Sequence, residues 1–226
     1  MKESRLAWNL HIEATVDQFK TTELKLGPWT SYSLQNDPKH MAFVLSRYKF
    51  CSKMLAGMDN VLEVGCGDAF GTPIVAHEVK NLHCVDWEER NILGNRARLA
   101  HLTNVTFEVS DISENRPHGQ YDGIFNIDVI EHLEPEFEKI FIENMLASLN
   151  KNGVMIIGTP NETASQYATF RSDHQHINLK TAESLKQLMD RYFHNTFIFS
   201  MNDEVIHTGY YPMAHYLFAM GVGKKD

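Results

Sequence analysis

The residues best suited to chemistry lie where an apolar run gives way to glycines. The segment VLEVGCGDAFG places Gly65 and Gly67 directly after a predicted strand, Val61–Val64. Glycines at such a position permit a tight turn and let a ligand come close to the backbone, and Glu63 adds an acid to the same crevice. A dinucleotide fingerprint needs a third glycine where Phe70 stands, so the pattern does not predict a nicotinamide cofactor.

Two further acids end the next two predicted strands. Asp86 closes the segment LHCVD, and Asp111 follows the segment FEVS. Ligands of a parallel sheet bind outside the carboxyl ends of its strands, where an acid such as Asp86 is suited to holding two ribose hydroxyls. Asp86 taken alone is also a plausible helix N-cap. Together with Glu63, however, the acids end three successive strands, which is hard to explain as three independent caps.

A second group of reactive side chains follows the later strands. The segment DVIEH contains Asp128, Glu131 and His132, and the segment DHQH contains His174 and His176. A histidine here is suited to the role of general base, because its pKa lies near neutrality. Carboxylates and imidazoles that converge from two loops are equally suited to holding a divalent metal. A third interpretation is that His132 only packs against, or caps, the next helix.

Short apolar runs alternate with helical patterns along the chain. Strands are predicted at Val61–Val64, Leu82–Val85, Val105–Val109, Tyr121–Ile127 and Val154–Ile157, with a closing pair at Thr196–Met201 and His215–Val222. Helical spacing predicts helices after Pro38, after Pro135 and around Leu185. This alternation predicts an α/β fold with a parallel sheet covered on both faces, and the closing hairpin as the antiparallel exception.

The composition indicates one globular domain with reduced thiols. Of 226 residues, 43% are apolar and 22% are charged, which excludes disordered and collagenous classes. Twenty-one basic against 29 acidic residues give a formal net charge of −8, so nucleic acid is not expected as a partner. Three scattered cysteines predict reduced thiols and therefore a cytoplasmic protein, and the absence of a long apolar run predicts no membrane contact. The protein is expected to be a monomer or a homodimer.

The first residues differ in character from the rest. Residues 1–36 look irregular and are predicted to form an arm or lid, in which Trp29 and Tyr32 cover a site or anchor the arm. Residues 37–226 are predicted to form a single catalytic domain. Two basic residues lie off the apolar stripe of the first helix of this domain and are expected on its solvated face: Arg47 and Lys49.

In these motifs the sequence resembles class I S-adenosylmethionine-dependent methyltransferases, from about Asn60 to Phe193. The segments LEVGCGDAFG, VDW, SDI and FNIDVIEHL are similar to the first four motifs of that family. GVMIIGTPN is similar to the fifth strand of small-molecule and ubiquinone-biosynthesis-like members, and the N-terminal segment resembles that of bacterial methyltransferases that decorate surface saccharides. The resemblance implies a three-layer Rossmann-like fold with a mostly parallel seven-stranded sheet and an antiparallel last strand.

By this resemblance ten residues would hold S-adenosylmethionine and its product S-adenosylhomocysteine: Glu63, Gly65, Cys66, Gly67, Asp86, Trp87, Asp111, Ile112, Asn126 and Ile127. Asp86 would bind the ribose hydroxyls, and Asp111 would accept from the adenine amino group. Trp87 and Ile112 would pack against the adenine, and the end of the fourth strand would face the methionyl end. Ala69 stands where many members have a third glycine, which implies no left-handed residue there.

The predicted function is methyl transfer to a small polar acceptor. The methyl group is expected on a hydroxyl oxygen, as in a surface-polysaccharide precursor or its phosphate-linked substituent. The catalytic candidates, which are also the ligand candidates if a divalent metal is present, are Asp128, Glu131, His132 and His174. DVIEH with a later histidine resembles the metal-dependent RNA 2′-O-methyltransferases, although Asp128 replaces a glutamate. Such an RNA enzyme, or a non-catalytic binding protein of the same fold, remains the alternative.

Overall fold

The computed structural model describes residues 2–21, 23–167 and 175–226. Within these ranges eight strands form one sheet: β1 Asn60–Val64, β2 Asn81–Asp86, β3 Val105–Val109, β4 Tyr121–Ile127, β5 Leu149–Pro160, β6 Phe193–Asn202, β7 Val205–His207 and β8 Tyr216–Lys224. The helices are α1 Lys2–Thr21, α2 Pro28–Asn36, α3 Pro38–Met54, α4 Thr72–Ala76, α5 Glu89–Arg98, α6 Glu138–Ser148 and α7 Ala182–Asp190.

The order of the strands in the sheet is β3-β2-β1-β4-β5-β8-β6-β7. Strands β1 to β5 are parallel, whereas β8 runs antiparallel to both β5 and β6. The α/β class, the mostly parallel sheet and the antiparallel last strand are therefore confirmed. The sheet has eight strands instead of seven because β7 pairs with β6 across a turn in which Asp203 has a φ of 48°.

Helices cover both faces of this sheet. On one face, α3, α4 and α5 pack with Cys51, Val75 and Ile92 against the strands. On the other face, α6 and α7 pack with Met145 and Leu188. Because the central strands are buried from both sides, they are apolar along almost their whole length. The order of the strands reverses between β1 and β4, so the crevice for a ligand opens at the carboxyl ends of these two strands.

Most of the described residues before Asp37 are helical, in α1 and α2, so the expectation of an irregular segment was wrong for them. Four large apolar residues of α1 recur at every second position, and all four are exposed: Leu6, Trp8, Leu10 and Ile12. That spacing does not form one stripe on a helix, which explains why the sequence showed no helical pattern. Over the described ranges, no helix combines the length and the apolar character that crossing a bilayer requires.

Candidate active site

The glycine turn after β1 leaves its backbone open to a ligand. Gly65 and Gly67 have φ angles of 74° and 50°, in the left-handed region that favours glycine. A Cβ on Gly65 would lie 2.3 Å from Cγ2 of Val129, so this glycine is required by packing against the chain after β4. A Cβ on Gly67 would meet no atom within 4 Å. The turn is therefore a cradle that a ligand such as S-adenosylmethionine fits.

Ala69 departs from the sequence expectation. Its φ of 55° is left-handed, although the alanine implied that no left-handed residue stands there. Its N–H donates to the carbonyl of Cys66 at 2.7 Å, which closes the turn. The conformation costs about 1–2 kcal/mol for a residue with a Cβ. The turn thus adopts a left-handed residue at this position without a glycine.

Asp86 ties the glycine turn to the helix after β2. One carboxylate oxygen accepts from the N–H of Gly67 at 2.8 Å, and the other accepts from the N–H of Glu88 at 2.9 Å. The cap of α5 itself is Glu88, whose side chain accepts from the N–H of Arg90. Asp86 is therefore more than a helix cap, and its binding of ribose hydroxyls stays a prediction.

Glu63 lies under the turn and not in the open crevice. It is 1% exposed, and its carboxylate accepts from the hydroxyls of Tyr48 at 2.9 Å and Thr72 at 2.7 Å and from the thiol of Cys84 at 3.3 Å. Burial raises the pKa of Glu63 to about 7, although these hydrogen bonds oppose the rise. Because its partners come from α3, α4 and β2, Glu63 joins these elements beneath the turn.

The other predicted cofactor residues lie along the same edge of the sheet. Asp111 accepts from the N–H and the hydroxyl of Ser113, at 2.9 and 2.6 Å, so it organises the turn after β3. Trp87 is 70% exposed, which leaves its ring free to cover a ligand. Asn126 is fully buried, and its Oδ1 has no hydrogen-bond partner in the described part of the chain. The remaining three residues are buried at the same strand ends: Cys66, Ile112 and Ile127.

The carboxyl end of β4 holds a buried ion pair that the sequence did not predict. Arg47 was expected on a solvated face, but it is 7% exposed, and its Nη1 lies 2.6 Å from Oδ2 of Asp128. Its guanidinium also stacks 3.9 Å from the ring centroid of Tyr216. Burial opposes the positive charge, yet Asp128 more than offsets this effect and raises the pKa of Arg47. Lys49 is exposed, as expected.

Asp128 itself has a φ of 57°, which places its side chain across the end of β4. Its N–H donates to the carbonyl of Gly158 at 3.0 Å. Aspartate is one of the few residues with a Cβ that adopts this conformation readily. The conformation and the ion pair to Arg47 together hold the carboxylate beside the crevice, where its side chain remains 33% exposed.

Glu131 is completely buried next to this ion pair. Its Oε2 accepts from the hydroxyl of Thr159 at 3.0 Å, while Oε1 has no hydrogen-bond partner in the described part of the chain. Burial and the charge of Asp128 raise its pKa well above the usual range. Its backbone carbonyl accepts from the N–H groups of Ile177 and Asn178, at 2.9 and 3.0 Å, which fastens the later loop to the end of β4.

Two histidines meet beside Glu131. The rings of His132 and His176 lie 5.0 Å apart between centroids, and one ligand atom from each of the three residues falls within 4.8 Å of the others. The Nδ1 of His132 lies 3.0 Å from the carbonyl oxygen of Gln175. A carbonyl only accepts, so Nδ1 carries the proton and Nε2 is left as an acceptor. His174 lies outside the described residues.

Among the described residues, the possible metal ligands differ in part from the predicted set. Asp128 pairs with Arg47 and does not join the cluster, while His176 joins Glu131 and His132. Two imidazoles and one carboxylate are a donor set that suits a divalent transition metal. The described residues thus fit a three-ligand metal site, although His132 and Glu131 also have hydrogen-bond roles without one.

Two more histidines approach the ion pair, and sequence reasoning missed them. His40 on α3 and His215 before β8 flank the ring of Phe43, at centroid distances of 6.3 and 6.0 Å. Burial and the charge of Arg47 lower the pKa of both histidines. The only sequence signal for His40 was its position about two helical turns before Arg47, on the same face of a predicted helix. His215 had none, because it comes from the far end of the chain.

The comparisons with known proteins agree with this geometry. A profile described as a methyltransferase domain matches residues 29–192. The chain belongs to this methyltransferase domain family. The match confirms the resemblance to class I S-adenosylmethionine-dependent methyltransferases.

Two curated relatives cover part of the chain. A "probable S-adenosylmethionine-dependent methyltransferase" of Mycolicibacterium smegmatis is 30% identical over 50% of this chain and 42% of its own length. A ubiquinone biosynthesis O-methyltransferase of Rickettsia felis is 30% identical over 55% of this chain and 48% of its own length. The chain therefore matches about half the length of these relatives.

Solved structures share the fold. The N-methyltransferase NodS from Bradyrhizobium japonicum, in complex with S-adenosylhomocysteine, has a TM-score of 0.62 at 18% identity, over 85% of this chain and 91% of that chain. The methyltransferase domain of bacterial CtHen1-C has a TM-score of 0.67 at 14% identity, over 80% of this chain and 98% of that chain. At these identities the likeness establishes the three-layer fold.

Proposed function

We propose that the chain transfers the methyl group of S-adenosylmethionine to a hydroxyl oxygen of a small polar acceptor. The observation that carries this proposal is the orientation of His132. Its Nδ1 donates to the carbonyl of Gln175, so its Nε2 is available to take the proton that a hydroxyl loses on methylation. His132 follows β4 closely, at the same edge of the sheet as the glycine turn.

The cofactor, when bound in the glycine cradle, supplies a methyl group on an activated sulfonium. The work left to this chain is to align the acceptor, exclude water and move a proton. Asp128 is held by Arg47 at the end of β4, where its exposed part can orient an acceptor hydroxyl. Glu131 fastens the loop that carries Gln175, and so keeps the imidazole of His132 in place.

The polarity of this region supports a polar acceptor. Several buried polar atoms of this region have no hydrogen-bond partner among the described residues, including Nε of Arg47, Oε1 of Glu131 and Oδ1 of Asn126. Groups of this kind are costly to leave unpaired, so they favour a ligand that offers hydrogen bonds. A hydroxyl-rich precursor of a surface polysaccharide, or its phosphate-linked substituent, has this chemistry. Phenols and catechols, which carry one or two hydroxyls on an apolar ring, are the comparison to make.

A methyl-transfer assay against an acceptor panel tests the proposal. The panel contains nucleotide sugars, sugar phosphates, catechols and a short RNA duplex, with mass detection of the methylated product. With the acceptor so found, His132→Asn should lower the rate by about 10²–10⁴-fold while S-adenosylhomocysteine still binds. His101→Asn, an exposed histidine at the amino end of β3, is the matched control. An unchanged rate in His132→Asn would exclude it as the base.

The cluster of Glu131, His132 and His176 favours a second candidate, a metal-dependent transfer to a ribose 2′-hydroxyl. A divalent cation there would polarise the acceptor oxygen, and these three side chains would hold it. Prolonged chelation should then abolish the activity, and added magnesium or manganese should restore it. His176→Asn should lose the activity that added metal restores in the wild type. Activity that survives chelation excludes this candidate and favours the general base.

A methyltransferase-like protein that binds without catalysis is the remaining alternative. It predicts binding of S-adenosylhomocysteine but no methylated product with any acceptor in the panel. The proton acceptor at His132 has no purpose in such a protein, whereas the open cradle at Gly67 would serve both.

A further inference from the structure

Helix α2 begins without a capping side chain of its own. Its N-cap is Gly27, and the first turn contains no acidic residue. The first N–H groups of a helix need partners from outside the helix. One of them, the N–H of Thr30, donates to Oδ2 of Asp68 at 2.8 Å. Asp68 belongs to the glycine turn, so the cofactor cradle caps a helix that lies 38 residues earlier in the chain.

The contact between the two segments is close enough to require a glycine. A Cβ on Gly27 would lie 2.3 Å from Cγ of Asp68 and 2.5 Å from each carboxylate oxygen. The backbone of Gly27, with φ −70° and ψ 166°, is one that any residue adopts. Glycine is therefore needed here only because Asp68 occupies the space of a side chain.

Asp68 is itself buried between two helices. Its side chain is 5% exposed, and Nη2 of Arg98 on α5 lies 3.9 Å from Oδ1. That oxygen has no hydrogen-bond partner in the described part of the chain, so the bond to Thr30 is the one close interaction of this carboxylate that is described. The positive end of the α2 dipole and Arg98 offset the cost of burying the charge.

We propose that Asp68 is a positioning residue for the cofactor, which joins α2 to the glycine turn. Asp68 lies between Gly67, whose face is open, and Ala69, whose backbone is strained. The bond to Thr30 holds this strained turn in shape and keeps α2 against the cofactor site. Helix α2, which belongs to the segment predicted as an arm or lid, therefore contributes to the retention of the cofactor. This inference rests on the proposed use of S-adenosylmethionine.

The test measures binding of S-adenosylhomocysteine to the full chain, by calorimetry for affinity and by stopped-flow tryptophan fluorescence for the dissociation rate. Asp68→Ala should weaken binding roughly tenfold, mainly through faster dissociation, because a hydrogen bond to a charged group is lost. Gly27→Ala should have a similar effect, since its Cβ displaces the carboxylate. Asp68→Asn should bind within about threefold of the wild type, because its amide oxygen can still accept from Thr30.

The double variant makes the test specific. In Gly27→Ala/Asp68→Ala the clashing atoms are absent, so the double variant should bind like either single variant. Asp59→Ala, an exposed acid at the amino end of the sheet, is the control. If Asp68→Ala does not fold, Gly27→Ala and Asp68→Asn carry the comparison.

Three results are distinguishable. Wild-type dissociation rates in both single variants would overturn the proposal, as would additive losses in the double variant. A wild-type protein that binds no S-adenosylhomocysteine would instead overturn the proposed function. Loss of thermal stability without a change in the dissociation rate would show that Asp68 is structural only.

Discussion

The buried carboxyl of Glu63 makes the stability of this protein depend on pH in a predictable direction. Burial raises its pKa from 4.5 to about 7, so the folded state binds a proton that the unfolded state releases. A raised pKa contributes stability below the unfolded value of 4.5, and this stability is lost as the pH rises through about 7. From pH 5 to pH 8 the loss from this one group amounts to about 2.5 kcal/mol.

The substitution Glu63→Gln should remove this contribution. The amide keeps the size of the side chain and has no charge to bury, so the free energy of unfolding should fall about 2.5 kcal/mol less between pH 5 and pH 8 than in the wild type. Urea denaturation at both pH values measures the change within each variant, and the fixed cost of the substitution cancels. Glu204→Gln, at an exposed turn, is the control. Parallel pH profiles of Glu63→Gln and the wild type would refute the reasoning.

Three further predictions concern the turn and the end of β4. Ala69→Gly should stabilise the chain by about 0.5–1 kcal/mol in urea denaturation, because relief of the left-handed strain exceeds the entropy cost of a glycine; a destabilised variant would contradict this. Arg47→Met should cost about 2–3 kcal/mol of stability and reduce acceptor methylation, because it leaves Asp128 unpaired, whereas exposed Lys49→Met should change neither. Asp86→Ala should weaken binding of S-adenosylmethionine by about 1.5–3 kcal/mol in calorimetry, and an unchanged affinity would reduce Asp86 to a structural role.

Patterns that are local in the sequence predicted most of the fold. The apolar runs of β1 to β5 and the helical stripes between them follow from residues that are close in sequence, and the strands formed where they were predicted. The prediction for α1 was wrong because its described side chains form no buried stripe. A helix whose apolar residues remain exposed carries no periodic signal.

The residues at the cofactor edge of the site could also be predicted from the sequence, because a turn between a strand and a helix is local. Gly65, Gly67 and Asp86 lie at strand ends that any parallel sheet brings to one edge. The left-handed backbone of Ala69 was not readable, since residue type alone favours another conformation and the hydrogen bond to Cys66 decides it. Glu63 was expected in the crevice, and its partners from three other elements draw it beneath the turn.

The sequence by itself determined that this chain forms an α/β sheet with a glycine turn and acids at the ends of successive strands, because these signals depend on neighbours in the chain. Only the tertiary structure decided what the charges around that turn do. Arg47 left its predicted solvated face to pair with Asp128, which lies 81 residues later, and Asp68 became the cap of a helix 38 residues earlier. The physical reason is that burial makes an unpaired charge costly, so each buried charge takes the partner that folding brings near.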